Sequence, residues 1–212
     1  MDGDGQMEYR LVARRLEVRE APGGGAGLAG YAAMFNELSV DLGGWREIIM
    51  PGAFRDAIVE ADVRALWQHN AEFVLGRTTN GTLRLAEDET GLRVEIDMPA
   101  TSWAADALVN LRRGDVDQMS FGFQVPPGGD TWRELDDYWL RTVWRVDPLY
   151  EVSPVTFAAY PQTSIHTRNH LAALRAQAAS SLPPGLGSGQ GPDSSQAARF
   201  SRQRLLALTE RV

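Results

Sequence analysis

The sequence predicts a mostly β protein with flanking helices, folded as a closed or nearly closed β-barrel that carries the helices on its outside. Three observations lead there. Short segments alternate apolar and polar residues with the period of two that a half-buried strand requires; Leu92, Val94, Ile96 and Met98 against Arg93, Glu95 and Asp97 form the cleanest of them. Loop-forming clusters such as Ala21–Gly27 and Pro126–Gly129 punctuate the chain between these segments. Two short stretches within residues 1–165 carry helical signals.

In chain order, residues 1–8 are polar and read as frayed, and Tyr9 to Glu20 reads as a strand with Leu11, Val12, Leu16 and Val18 as its apolar members. Leu28 to Phe35 is the next strand, and Trp45 to Met50 is another apolar run. Pro51 to Glu60 reads as a short helix with proline near its first turn and Phe54, Ile58 and Val59 facing inward. A strand over Val63–His69 follows, with Val63, Ala65, Trp67 and His69 on one face. Phe73–Thr78 and Thr82–Glu87 read as a hairpin around Asn80-Gly81. A second helix runs from an N-cap at Thr101 or Ser102 to Gly114, with Ala104, Leu108 and Leu111 inward and Arg112 and Arg113 in the last turn. Trp132 to Val146 reads as a hairpin turning at Asp136-Asp137, and Tyr150 to Ala159 supplies the last strand.

The domain organisation expected is a β-barrel domain over residues 1–165, a helical extension over 166–179, a flexible Ser/Gly/Pro linker over 180–195 and an amphipathic tail helix over 196–212. An isolated helix of that length is marginal in water, so the tail either folds back on the domain or docks elsewhere.

Composition narrows the chemistry. The 212 residues are 43% hydrophobic and 23% charged, enough for a sizeable core. A net charge of −7 argues against a nucleic-acid partner, because a phosphate-binding surface needs excess positive charge. The absence of cysteine removes disulfides, thiolate metal sites and thiol nucleophiles. Every basic residue is arginine, which removes lysine bases and Schiff-base chemistry. No run is long and apolar enough to span a membrane and no apolar leader core opens the chain, so no membrane partner is expected. No cofactor or metal is expected either: residues 1–165 hold one histidine, and His166 and His170 at i, i+4 lack the glutamate of an H-E-x-x-H zinc motif.

One stretch suits covalent catalysis. Over Asp115–Val125, Met119, Phe121, Phe123 and Val125 share one face of a strand while Ser120, Gly122 and Gln124 share the other. A glycine beside a serine leaves room for another backbone to approach, which fits a nucleophile and fits an ordinary strand as well. Ser39 in a loop, Ser102 at a helix cap and Ser153 before a proline compete with Ser120. A serine hydroxyl needs a base within hydrogen-bond reach, and His69 is the histidine available within residues 1–165.

Four separated segments then agree. Pro51-Gly-Ala-Phe54, Asp62–Asn70 (DVRALWQHN), the Met-Ser-Phe-Gly stretch around Ser120 and Leu149–Pro161 (LYEVSPVTFAAYP) occur in an order that resembles the prohead serine proteases of tailed bacteriophages, the type found with capsid proteins of the HK97 class. The resemblance covers about Gly30 to Ile165. It implies a fold of the herpesvirus-assembly-protease type and a serine endopeptidase with Ser120 as nucleophile, His69 as base and Glu151 as the orienting acid. Those viral proteases use a second histidine in the third role, which leaves His166 and His170 as alternatives to Glu151. The resemblance further implies partners and place: the major capsid protein with its scaffolding portion, and the protease itself, cleaved inside assembling proheads in the host cytoplasm. The 180–195 linker would be the region of self-cleavage. Homo-oligomerisation stays open. A non-catalytic assembly module, binding capsid protein or scaffold without cleaving it, is the competing reading.

Overall fold

The computed structural model describes residues 7–12 and 16–156. The chain divides into two compact units, Met1–Arg168 and Asn169–Val212, and all described residues belong to the first. The helical extension, linker and tail helix expected from the sequence lie outside the described residues, as do His166 and His170.

Among the described residues, twelve strands and two helices follow in the order β1 (Glu8–Val12), β2 (Glu17–Glu20), β3 (Ala26–Met34), β4 (Trp45–Ile49), α1 (Ala57–Glu60), β5 (Arg64–Trp67), β6 (Asn70–Arg77), β7 (Leu83–Glu87), β8 (Gly91–Asp97), α2 (Ser102–Arg113), β9 (Gln118–Phe123), β10 (Asp130–Glu134), β11 (Trp139–Val143) and β12 (Leu149–Val155). A single 3-10 turn over Thr78–Asn80 separates β6 from β7. The protein is thus mostly β with few helices. Its strands pair into three sheets, ordered β1-β9-β12-β5-β6, β10-β11-β4 and β2-β3-β8-β7. None of these closes on itself among the described residues, so the expected closed barrel is not found. Period-two alternation identifies strands but does not encode which edges meet.

The core lies against one face of the five-stranded sheet. Met119, Phe121 and Phe123 project from β9 and Val152 from β12, all fully buried, toward Leu28 of β3 and Leu92, Val94 and Ile96 of β8. Each such large side chain contributes about 1.5–3 kcal/mol relative to exposure. Phe54 plugs this layer, edge-on to Phe121 at 5.5 Å and stacked with Phe35 at 6.3 Å. The outer face of the four-stranded sheet is zipped by ions: Arg84 of β7 pairs with Asp97 and Glu95 of β8, and Arg19 of β2 reaches Glu95.

The second helix forms as its sequence directs. Thr101 caps it by accepting from the Ala104 N–H at 3.4 Å, and Gly114 closes it in the left-handed conformation at φ 79°. Ala104 and Leu111 face inward as expected, Ala107 joins them, and Leu108 is half-buried. Other expectations need correction. Residues 51–56 are successive turns, α1 is a single turn, and Val59 is 82% exposed instead of facing inward. The segment Tyr9–Glu20 is not one strand: β1 joins the five-stranded sheet and β2 the four-stranded sheet.

The Asn80-Gly81 hairpin is not formed either. The strand before it, β6, pairs with β5, and the strand after it, β7, pairs with β8. Gly81 instead takes φ 75° to end the 3-10 turn, and Asn80 Oδ1 accepts from the Thr82 N–H. The two-residue hairpin turn lies between β5 and β6. Trp67 pairs with Asn70, leaving Gln68 and His69 as the loop, so the expected strand stops two residues short of His69.

Candidate active site

Registers on the five-stranded sheet gather the polar side chains that the core face excludes. In the antiparallel ladders, Ser120 lies opposite Leu11 of β1 and Ser153 of β12, and Gly122 lies opposite Tyr9 and Glu151. Residues directly opposite share a face, as do i and i+2 along a strand. Tyr9, Leu11, Ser120, Gly122, Glu151 and Ser153 therefore lie together, away from the Met119/Phe121/Phe123 core. Ser120, Glu151 and Ser153 are buried, and the other buried polar side chains among the described residues, Glu47 and Arg141, form a separate cluster.

His69 reaches this face from the β5–β6 turn. Gln68 and His69 both have positive φ, 57° and 59°, the pattern of a type I′ turn that normally recruits Asn-Gly. Left-handed backbone costs a residue with a Cβ about 1–2 kcal/mol. Contacts to the end of β12 offset that cost. The Gln68 N–H donates to the Pro154 carbonyl at 3.1 Å, the Gln68 side-chain amide donates to Thr156 Oγ1 at 2.7 Å, and its Oε1 accepts from the Thr156 N–H at 3.1 Å. Strained backbone of this kind concentrates at functional sites.

So anchored, His69 Nδ1 lies 2.7 Å from Glu151 Oε1. The carboxylate's other oxygen accepts a hydrogen bond from the Ser153 hydroxyl. Gly122 makes the approach sterically feasible, since a Cβ there would stand 2.9 Å from Glu151 Oε1 and 3.0 Å from the Tyr9 ring. The Tyr9 ring closes over the imidazole edge-on, with centroids 4.6 Å apart. Burial, and after it the Glu151 charge, push the Tyr9 phenol above its ordinary 10.

Two buried atoms on this face have no hydrogen-bond partner among the described residues: Ser120 Oγ and His69 Nε2. Buried polar groups without partners are uncommon and mark sites that await one. The arrangement is thus a carboxylate bonded to one imidazole nitrogen, the other nitrogen unengaged, and an unengaged hydroxyl on the same face of the sheet. Of the competing serines, Ser39 accepts from the Glu47 N–H in its loop and Ser102 opens α2. Ser153 is the serine whose hydroxyl is bound to Glu151, a link that sequence reasoning missed. The i, i+2 spacing of Glu151 and Ser153 was its signal.

A bacteriophage T4 structure, the capsid assembly protease gp21, is similar at 10% sequence identity with a TM-score of 0.49, covering 72% of this chain and 99% of that one. No curated protein matches the chain. The family model described as caudovirus prohead serine protease matches residues 14–176, most of the chain, including His69, Ser120, Glu151 and Ser153. This chain belongs to the caudovirus prohead serine protease family.

Proposed function

We propose that this phage capsid-maturation protease is a serine endopeptidase in which Ser120 is the nucleophile, His69 the general base and Glu151 the acid that orients His69. The observation that carries the reading is the conjunction of the 2.7 Å His69–Glu151 contact with the unpartnered His69 Nε2 and Ser120 Oγ. Glu151 Oε1 holds the proton on Nδ1, which leaves Nε2 as the basic nitrogen. Nε2 takes the Ser120 proton as Oγ attacks the scissile carbonyl, and returns it to the leaving amine as the acyl-enzyme forms. Water then attacks the ester by the same path, and Ser120 is regenerated. Ser120 and His69 are not hydrogen-bonded to each other in this state; such contacts commonly tighten once substrate is bound.

The substrates proposed are the scaffolding portion of the major capsid protein, inside assembling proheads in the host cytoplasm, and then the protease itself within residues 180–195. The test is co-expression of the protease with its capsid protein and scaffold. Scaffold should be shortened with the wild type and stay intact with Ser120→Ala. Shortening by Ser120→Ala to the same extent would reject the assignment, and function of that variant in assembly would favour a binding module.

A further inference from the structure

The Ser153 hydroxyl takes no part in the chemistry above, yet it is fully buried and bonded to the one carboxylate that chemistry uses. We propose that Ser153 is a positioning residue that locks Glu151, so that Oε1 stays on His69 Nδ1. The inference rests on the serine-protease reading and adds a fourth member to it.

A glutamate on a strand retains rotation about its side-chain bonds, and one hydrogen bond at Oε1 leaves Oε2 free to swing the carboxylate away. The Ser153 donor at Oε2 removes that freedom. Hydrogen bonds to a charged acceptor are about twice as strong as neutral ones. Pro154 then holds Ser153 in extended backbone, the conformation that aims its hydroxyl along the same face as Glu151. The Pro154 carbonyl also receives the Gln68 N–H of the His69 turn. A single stretch, Glu151–Pro154, therefore holds the acid directly and the base through its turn. With its proton committed to Glu151, Ser153 is also a poor candidate for the nucleophile.

The test uses the full chain and a readout besides rate. The chain has three histidines, so His69→Gln identifies the His69 signals in proton–nitrogen NMR. In a Ser120→Ala background the spectrum should show one tautomer with the proton on Nδ1 and a slowly exchanging Nδ1–H. Adding Ser153→Ala should mix the tautomers and speed that exchange. With Ser120 present, Ser153→Ala should lower kcat about tenfold at unchanged KM, and Ser153→Thr, which keeps the hydroxyl, should restore the tautomer and most of the rate. If Ser153→Ala does not fold, Ser153→Cys, a similar volume with a much weaker donor, is read in the same way. An unchanged His69 spectrum in the folded variant overturns the proposal. So does loss of cleavage as complete as in Ser120→Ala with that spectrum unchanged, which would make Ser153 the nucleophile. Failure of the serine-protease reading looks different: Ser120→Ala would keep cleaving whatever the His69 spectrum does.

Discussion

Gly122 shows how one residue sets the geometry of the site. It stands opposite Glu151 on β9, and a methyl group there would meet Glu151 Oε1 at 2.9 Å and the Tyr9 ring at 3.0 Å, distances at which something must move. Gly122→Ala is predicted to push the carboxylate off His69 and lower the cleavage rate by about tenfold or more, through lost orientation at the site. Thermal unfolding beside the rate separates this from misfolding; a stable variant with full rate would show that the clearance is not needed. The Ser120–Gly122 pairing was legible in the sequence because strands alternate with a period of two. Glu151 was legible only through motif resemblance, since an isolated glutamate on a strand is usually a solvated one. The Ser153–Glu151 bond is not legible in the sequence, because alternation puts both side chains on one face without saying which rotamers bring them into contact.

At the level of elements, the β5–β6 turn matters most. Its Gln68 clamps to the Pro154 carbonyl and to Thr156, across the strand end that carries Glu151 and Ser153. Gln68→Ala removes the two Thr156 contacts while leaving the left-handed backbone in place. It should cost about 1 kcal/mol or more of stability in denaturant unfolding and slow cleavage, because His69 loses part of its anchor. Unchanged stability and rate would mean that the turn is held by the backbone bond alone. The sequence could not reveal this turn: type I′ loops announce themselves by Asn-Gly, and here two residues with long side chains take that conformation. The Asn80-Gly81 signal was real but served a 3-10 turn between two sheets. Helix α2, whose caps and apolar spacing are both local, was legible almost to the residue.

Across the whole described unit, a buried charge cluster joins the five-stranded sheet to the three-stranded sheet. Arg141 of β11 pairs with Glu8 at 2.7 Å, Glu47 at 3.0 Å and Asp130 at 2.6 Å, while Arg10 of β1 pairs with Glu47 at 2.8 Å. Trp45 and Trp132 lie under the guanidiniums. This cluster ties β1, the strand that carries Tyr9, to β4 and β11 of the three-stranded sheet. Arg141→Met should destabilise the fold by about 3 kcal/mol or more, because Glu47, 2% exposed, would then share Arg10 alone with Glu8. Acid should act on the same cluster. Burial would raise the Glu8 carboxyl, but Arg10 and Arg141 outweigh it and hold the group below its ordinary 4.5. A depressed folded value means that its stabilisation is complete above about 4.5 and is lost as pH falls through the lower, folded value. Denaturant midpoints from about pH 6 to about pH 2 should fall on the acid side, and fall less steeply in Arg141→Met. Equal slopes in the two proteins would remove Glu8 as the cause. Partners across long separations, such as the Arg141–Glu8 ion pair between two sheets, are what alternation cannot supply, and the barrel expectation failed at this same scale.

The most direct test of the central claim is the intact mass of purified wild-type protein after long incubation, beside Ser120→Ala treated identically. The account predicts that the wild type shortens at a site within residues 180–195 and that Ser120→Ala keeps its full mass. Equal shortening of both proteins would contradict it, because cleavage would then owe nothing to the Ser120 hydroxyl.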